Sequence, residues 1–250
     1  MWIRNPFQNT LLLIFFLLVC LYSQTLVAGI CGEPVLQLGW FTTTQGKSQH
    51  VDIEGLIGDD FKVKKSRAQN FLVGAGYYFR GFDTECGSCC GIDASLLYGI
   101  NAFYLLPTHV KGVVIQENLF TNLSYRYSRA NCSIYAATKA LIHFGSCQDL
   151  TIDLGIGPNI VRTSGFKEKS LDGGVTLPDH IFAGKTTIVF SATAGAGWRV
   201  RHLFGNLSLE IDYRFFYLGQ GKLKKVNSQV KNTLRTGHSY GNTLFLSILL

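Results

Sequence analysis

From residue 35 onward, apolar and polar side chains alternate with a period of two, the spacing of β-strands whose two faces meet different surroundings. LQLGWFTT (36–43) sets Leu36, Leu38 and Trp40 against Gln37, Gly39 and Phe41. NFLVGAGYYF (70–79) sets Phe71, Val73, Ala75, Tyr77 and Phe79 against Asn70, Gly74, Gly76 and Tyr78. The same pattern recurs at 92–104, 117–127, 133–144, 149–161, 186–198, 207–218 and 242–250, which makes nine candidate strands. Each has about the ten residues that a tilted membrane strand needs.

LSLEIDYRFFYL (207–218) shows the problem that this pattern poses. Leu207, Leu209, Ile211, Tyr213, Phe215 and Tyr217 occupy alternate positions, with Ser208, Glu210, Asp212 and Arg214 between them. A soluble barrel alternates too, so the content of the polar face has to decide which side is inside. A solvated exterior would be rich in Lys and Glu. Here the polar face is Gly, Ser, Thr and Asn with isolated charges, which suits a narrow, filled lumen. Aromatics near strand ends (Trp40, Tyr77, Tyr104, Tyr125, Tyr127, Phe215, Tyr217) fit membrane-boundary girdles on the apolar face. The expected fold is therefore all-β: a single antiparallel transmembrane β-barrel of 8–10 up-and-down strands. An up-and-down barrel with both ends on one side needs an even count, so nine is off by one. Taking HVDIEGL (50–56) as a strand gives ten, and merging or demoting a candidate gives eight. The long connections 163–185 and 219–240 are expected on the extracellular side, with the short 201–206 opposite.

Composition narrows the class. Charged residues are only 16% of 250, against about 25% in an average soluble domain, while glycine is frequent (27) and proline scarce (5). Arg4, the apolar run LLLIFFLLVCLY (11–22) and small residues near Ala28 and Gly29 read as a cleaved N-terminal signal peptide over 1–29, leaving 30–250 as the barrel. No later stretch reaches the ~18 uncharged apolar residues of a helical span, so entry into a membrane requires a closed barrel. Of seven cysteines, Cys31, Cys86, Cys89, Cys90, Cys132 and Cys147 follow the signal. ECGSCC (85–90) holds a CxxC without the second pair or histidines of a zinc site, and reads as a loop with a disulfide or free thiols. Cys132 and Cys147, at opposite ends of one candidate strand, are not expected to pair.

LSLEIDYRFFYLGQGK, following a Gly/Ala-rich strand and a short turn, resembles the penultimate hairpin of the opacity/OmpA-like outer-membrane β-barrel family. DLGIGPNI (153–160) resembles the Gly-alternating strand before it. The resemblance implies a protein of the Gram-negative outer membrane, inserted by the barrel assembly machinery, with lipid and lipopolysaccharide around it. Such barrels usually end in an aromatic residue, whereas this sequence closes on SILL.

The charges Asp93, Arg126, Lys139, Asp153, Arg199, Glu210, Asp212 and Arg214 are assigned to the lumen as a salt-bridged plug, with a narrow ion or solute path as the rival. Glu210 and Asp212 lie two apart, but Arg214 follows on the same face, which favours an ion network over acid–base chemistry. His143, Ser133, His202, His238 and Ser239 show no GxSxG motif or comparable spacing, so no enzyme, cofactor or metal is expected. Segment 219–239 carries Lys222, Lys224, Lys225, Lys231 and Arg235 without an acidic residue. It is either a solvated loop or a contact surface for lipopolysaccharide or host glycans. The net charge of +7 is assigned to this surface and not to nucleic acid, because no aromatic platform accompanies it. A monomer is expected, with a structural or surface-interaction role and with a narrow diffusion pore or a lipid-modifying barrel enzyme as alternatives.

Overall fold

The computed structural model describes residues 32–84, 93–205 and 207–250. The expected signal segment, Cys31 and the ECGSCC cysteines lie outside the described residues. The alternating segments form β1 (Gly32–Thr44), β2 (Gln49–Val51), β3 (Asp59–Lys65), β4 (Arg67–Thr84), β5 (Ala94–Gln116), β6 (Phe120–Phe144), β7 (Gln148–Ser170), β8 (Phe182–Ala183), β9 (Thr186–Phe204), β10 (Leu207–Tyr217), β11 (Lys224–Lys225) and β12 (Tyr240–Leu249). β3 and β4 lie end to end along β5, β2 is a stub on β3, and β8 pairs only with β11. What remains is a ring of eight staves (β1, β3/β4, β5, β6, β7, β9, β10, β12), closed by the β1–β12 ladder.

The count is eight because two expected strands are one. Candidates 117–127 and 133–144 merge into the 25-residue β6, whose linking residues 128–132 keep pairing with β5 and β7. Nothing in SRANC breaks a strand, since it has neither Gly nor Pro. The hairpin ahead of it turns at Glu117 and Asn118, both at positive φ (50° and 61°), the geometry of a type I′ turn. HVDIEGL supplies no stave. Its first residues enter β2, Ile53 bridges Val230, and Gly55 (φ 78°) turns the chain.

β5, β6 and β7 have 23, 25 and 23 residues, about twice what a bilayer crossing takes. Along β6 the odd-numbered side chains face inward throughout, and the hydrophobic phase flips between Tyr127 and Ile134. Leu123, Tyr125 and Tyr127 are buried inside, whereas Ile134 is outside and Asn131, Ser133 and Lys139 take the inner positions. Tyr125 and Tyr127 are thus not girdle residues. They belong to a part of the barrel that stands clear of lipid, where water outside drives apolar groups inward. β7 absorbs one extra residue at the same level, with Gly165 at φ 63°, as in a glycine bulge.

Lipid-facing aromatics mark two belts. Phe144 stacks on Trp198 and Phe79 on Tyr98 near one end; Phe190, Phe215, Tyr217 and Tyr240 gather near the other. From Trp198 to Phe190 along β9 is about 26 Å at strand rise, or about 20 Å of height after tilt, which suits an outer-membrane apolar band. Above it stands a crown with its own core, including Val51, Phe61, Val110, Tyr125, Phe166, Phe182, Leu223, Val230 and Leu234. The long connections are built into this crown. Thr236 N–H donates to Gly221 O and Leu223 N–H to Leu234 O, so 218–239 continues the β10/β12 wall upward as an irregular hairpin. Lys231 N–H to Asp52 O and Val226 N–H to Ile181 O tie it to its neighbours on either side.

Candidate functional site

The membrane-level lumen is filled. Six of the eight charges assigned to it converge there: Lys139, Asp153, Arg199, Glu210, Asp212 and Arg214 are all buried. Lys139 Nζ lies 2.7 Å and 2.9 Å from the two Glu210 carboxylate oxygens and 3.5 Å from Asp153 Oδ2. Arg199 Nε reaches Glu210 Oε2 at 3.0 Å, and its Nη1 reaches Glu33 at 3.0 Å. Arg214 lies 3.3 Å from both Asp153 and Asp212. Three cations thus meet three carboxylates with no net charge among the six. Asp153 also accepts from Tyr78 Oη at 2.7 Å, which itself accepts from Asn101 Nδ2 at 2.6 Å. The guanidinium of Arg214 lies over the rings of Phe103 and Phe245. Glycines on the same face make room: a Cβ on Gly76 would lie 1.7 Å from Asn101 Oδ1, and one on Gly197 would lie 2.5 Å from the Asp212 side chain. Small beside large is how a narrow barrel is packed, and the result is a plug.

Two of the assigned lumen charges lie elsewhere. Asp93 is exposed just before β5 begins, where its carbonyl accepts from His143 N–H. Arg126 is exposed on the outside of the crown because it precedes the phase flip on β6. A buried cation not singled out in the sequence, Arg129, sits at the level of the flip. It donates to Ser239 Oγ and to the Leu218 and Gly219 carbonyls, fixing the root of the 218–239 hairpin.

Arg126 has a specific setting. Lys65 pairs with Lys111 across β3–β5, Lys111 with Arg126 across β5–β6, and Arg126 with Lys167 across β6–β7. All four are exposed, and none forms an ion pair among the described residues. Like charges directly opposed across strands are normally unfavourable, yet four occur in one row, eight residues along β6 beyond Ile134. The basic residues of 219–239 join this outer surface. Lys222 bridges Arg235, Lys224 and Lys225 form β11, and Lys225 Nζ donates to Lys231 O. This segment is a packed wall of the crown, not a loose loop.

The crown's tip carries the opposite sign. A cavity of about 350 Å³ is lined by Asp59, Glu117, Glu168 and Asp179 together with Ile53, Leu56, Phe120 and Ile181. Burial holds the Asp59 and Glu168 carboxyls above their ordinary range, although Glu168 Oε2 accepts from the Asp179 and His180 N–H groups. Among the described residues no cluster of side chains is suited to hold a metal ion. Cys132 and Cys147 are free.

No protein-family model matches the chain, and no curated protein does. Among solved structures, the outer membrane protein OprG from Pseudomonas aeruginosa is similar with TM-score 0.46 and 10% identity, covering 88% of this chain and 97% of that one. Neisserial surface protein A gives TM-score 0.40 and 9% identity over 87% and 96%. The outer membrane protease OmpT from Escherichia coli gives 0.37 and 10% over 87% and 94%. With its closed antiparallel ring, outward apolar band and filled polar lumen, the described part of the chain is a small, eight-stranded, up-and-down transmembrane β-barrel.

Proposed function

We propose that the protein acts at the cell surface, its crown binding anionic, phosphate-bearing saccharide, with lipopolysaccharide as the first ligand. The observation that carries this reading is the row Lys65–Lys111–Arg126–Lys167, four exposed and mutually repelling cations aligned across four strands. A bound polyanion would turn that repulsion into attraction. The hairpin residues Lys222, Lys224, Lys225, Lys231 and Arg235 extend the same positive surface outward. A crown with its own core holds both sets in fixed positions, which lowers the ordering cost of binding.

Titration of the detergent-folded protein with purified lipopolysaccharide tests the proposal. Wild type is expected to bind in a salt-sensitive manner, as exposed charges do over a Debye length of about 10 Å at 0.1 M. The K111E/R126E variant is expected to bind at least about tenfold more weakly, the equivalent of ~1.4 kcal/mol. Binding unchanged by this double charge reversal would overturn the reading. Planar-bilayer recordings address the pore alternative: a plugged lumen predicts silence, whereas steps that change on neutralising Arg214 would favour conduction.

A further inference from the structure

At the periplasmic rim, a serine, a histidine and an aspartate from three adjacent strands stand in one hydrogen-bonded line. Ser95 lies near the start of β5, His143 near the end of β6 and Asp149 near the start of β7. Ser95 Oγ is 2.8 Å from His143 Nε2, and His143 Nδ1 is 2.7 Å from Asp149 Oδ1. The fold enforces this proximity. His143 is directly opposite Asp149 across the tight β6–β7 hairpin, and Ser95 is paired with Leu141, the inward neighbour of His143 on the same face. The spacing 95–143–149 carries no local motif, so the line is visible only once the strands are in register.

The chemistry of the donors fixes the roles. A carboxylate accepts only, so Nδ1 holds the imidazole proton and Nε2 is left to accept from the Ser95 hydroxyl. That is the arrangement of an activated nucleophile, its base and a group that orients the base. The Asp149 side chain is fully buried, and Arg201 Nε lies 3.3 Å from the same oxygen, holding the carboxylate in place. The His143 side chain retains 21% exposure, and Ser95 is part-exposed, so the reacting end is open. Arg199, Glu210 and Lys139 block the lumen above, which leaves the periplasmic mouth as the approach.

We propose that Ser95, His143 and Asp149 form a hydrolytic triad for carboxylic esters that enter from the periplasmic mouth. Ser95 Oγ bonds to the ester carbonyl carbon as its proton passes to His143 Nε2. Collapse of the tetrahedral adduct breaks the bond to the alcohol oxygen, which leaves with that proton. A water molecule, deprotonated by Nε2, then attacks the acyl-serine. The carboxylic acid departs, and the proton returns to Ser95. Ser95 and His143 are the catalytic residues, while Asp149 and Arg201 are positioning residues. This inference is independent of the crown's ligand, because it concerns the opposite end of the barrel.

The test treats folded, detergent-solubilised protein with a fluorophosphonate reporter and follows hydrolysis of a short-chain p-nitrophenyl ester. Wild type is expected to take one label, located at Ser95 by peptide mass, and S95A none. H143Q and D149N are expected to slow both reactions by about 10²-fold or more. Each variant is assessed in its heat-modifiable, folded form. Should S95A not fold, S95C serves instead: its thiol should react with iodoacetamide faster than that of S95C/H143Q. If the three residues only seal the rim by hydrogen bonding, wild type takes no label or H143Q labels as fast as wild type. Either result overturns the proposal.

Discussion

Glu210 touches two cations at once, Lys139 and Arg199, at the centre of the lumen network. Replacing it with glutamine keeps the volume but removes a buried negative charge, leaving Lys139 with Asp153 alone and Arg199 with Glu33 alone. E210Q is therefore expected to cost about 3–5 kcal/mol, read as a lower urea midpoint for the folded band on a heat-modifiability gel. His50, on β2 in the crown, offers a pH test. Its Nδ1 is 2.8 Å from Asp60 and its Nε2 is 3.0 Å from Ile57 O, two acceptors that only the imidazolium satisfies together. The Asp60 hydrogen bond raises its pKa above 6.5. The stabilisation of the 45–58 loop is then fully present below pH 6.5 and is lost as pH rises through the raised value. NMR titration of the His50 ring should show a raised midpoint that D60N returns toward ordinary; an unchanged midpoint in D60N would dismiss the pair. At this scale the lumen residues were legible in the sequence because strand alternation places every second side chain on one face. Asp93 and Arg126 were not, because their strands begin later or run higher than the local pattern indicates.

For a strand, the informative quantity is the phase of its hydrophobic alternation. On β6 the outward positions are polar from Asn122 to Ser128 and mostly apolar from Ile134, so the upper edge of the lipid band falls between them. Thr138, outward on the same strand and level with Ala194 midway between the two aromatic belts, should then face mid-band hydrocarbon, and T138R is expected to destabilise the barrel by about 2–4 kcal/mol. S124R, outward on the same strand but in the crown, should stay within about 0.5 kcal/mol of wild type. Equal effects in urea titrations of the two variants would move the boundary. Without knowledge of that edge, one strand with a phase flip reads as two strands, which is how nine candidates arose from eight staves.

At the largest scale, residues 33–250 form a plugged transmembrane barrel with a crown that has its own core. The two parts should come apart. Replacing 222–235 by an Asn-Gly turn removes Leu223, Val230 and Leu234 from the crown core and the Ile53–Val230 bridge with them. The β10–β12 and β1–β12 ladders below are untouched. The variant is expected to remain heat-modifiable while trypsin gains cuts at Lys47 and Lys185, mapped by mass spectrometry. Loss of the folded band would show instead that the crown is needed to close the barrel.

Alternation, a polar face of small residues and the scarcity of charge by themselves determined an all-β barrel with lipid outside and a charged lumen, because those features report the two environments of each strand. Only the tertiary structure decided the rest: the count of eight, the inverted crown, the cation row across β3, β5, β6 and β7, and the Ser95–His143–Asp149 line. Each depends on register between strands distant in sequence. A period of two says that a side chain faces one of two ways, but not which neighbour it meets there.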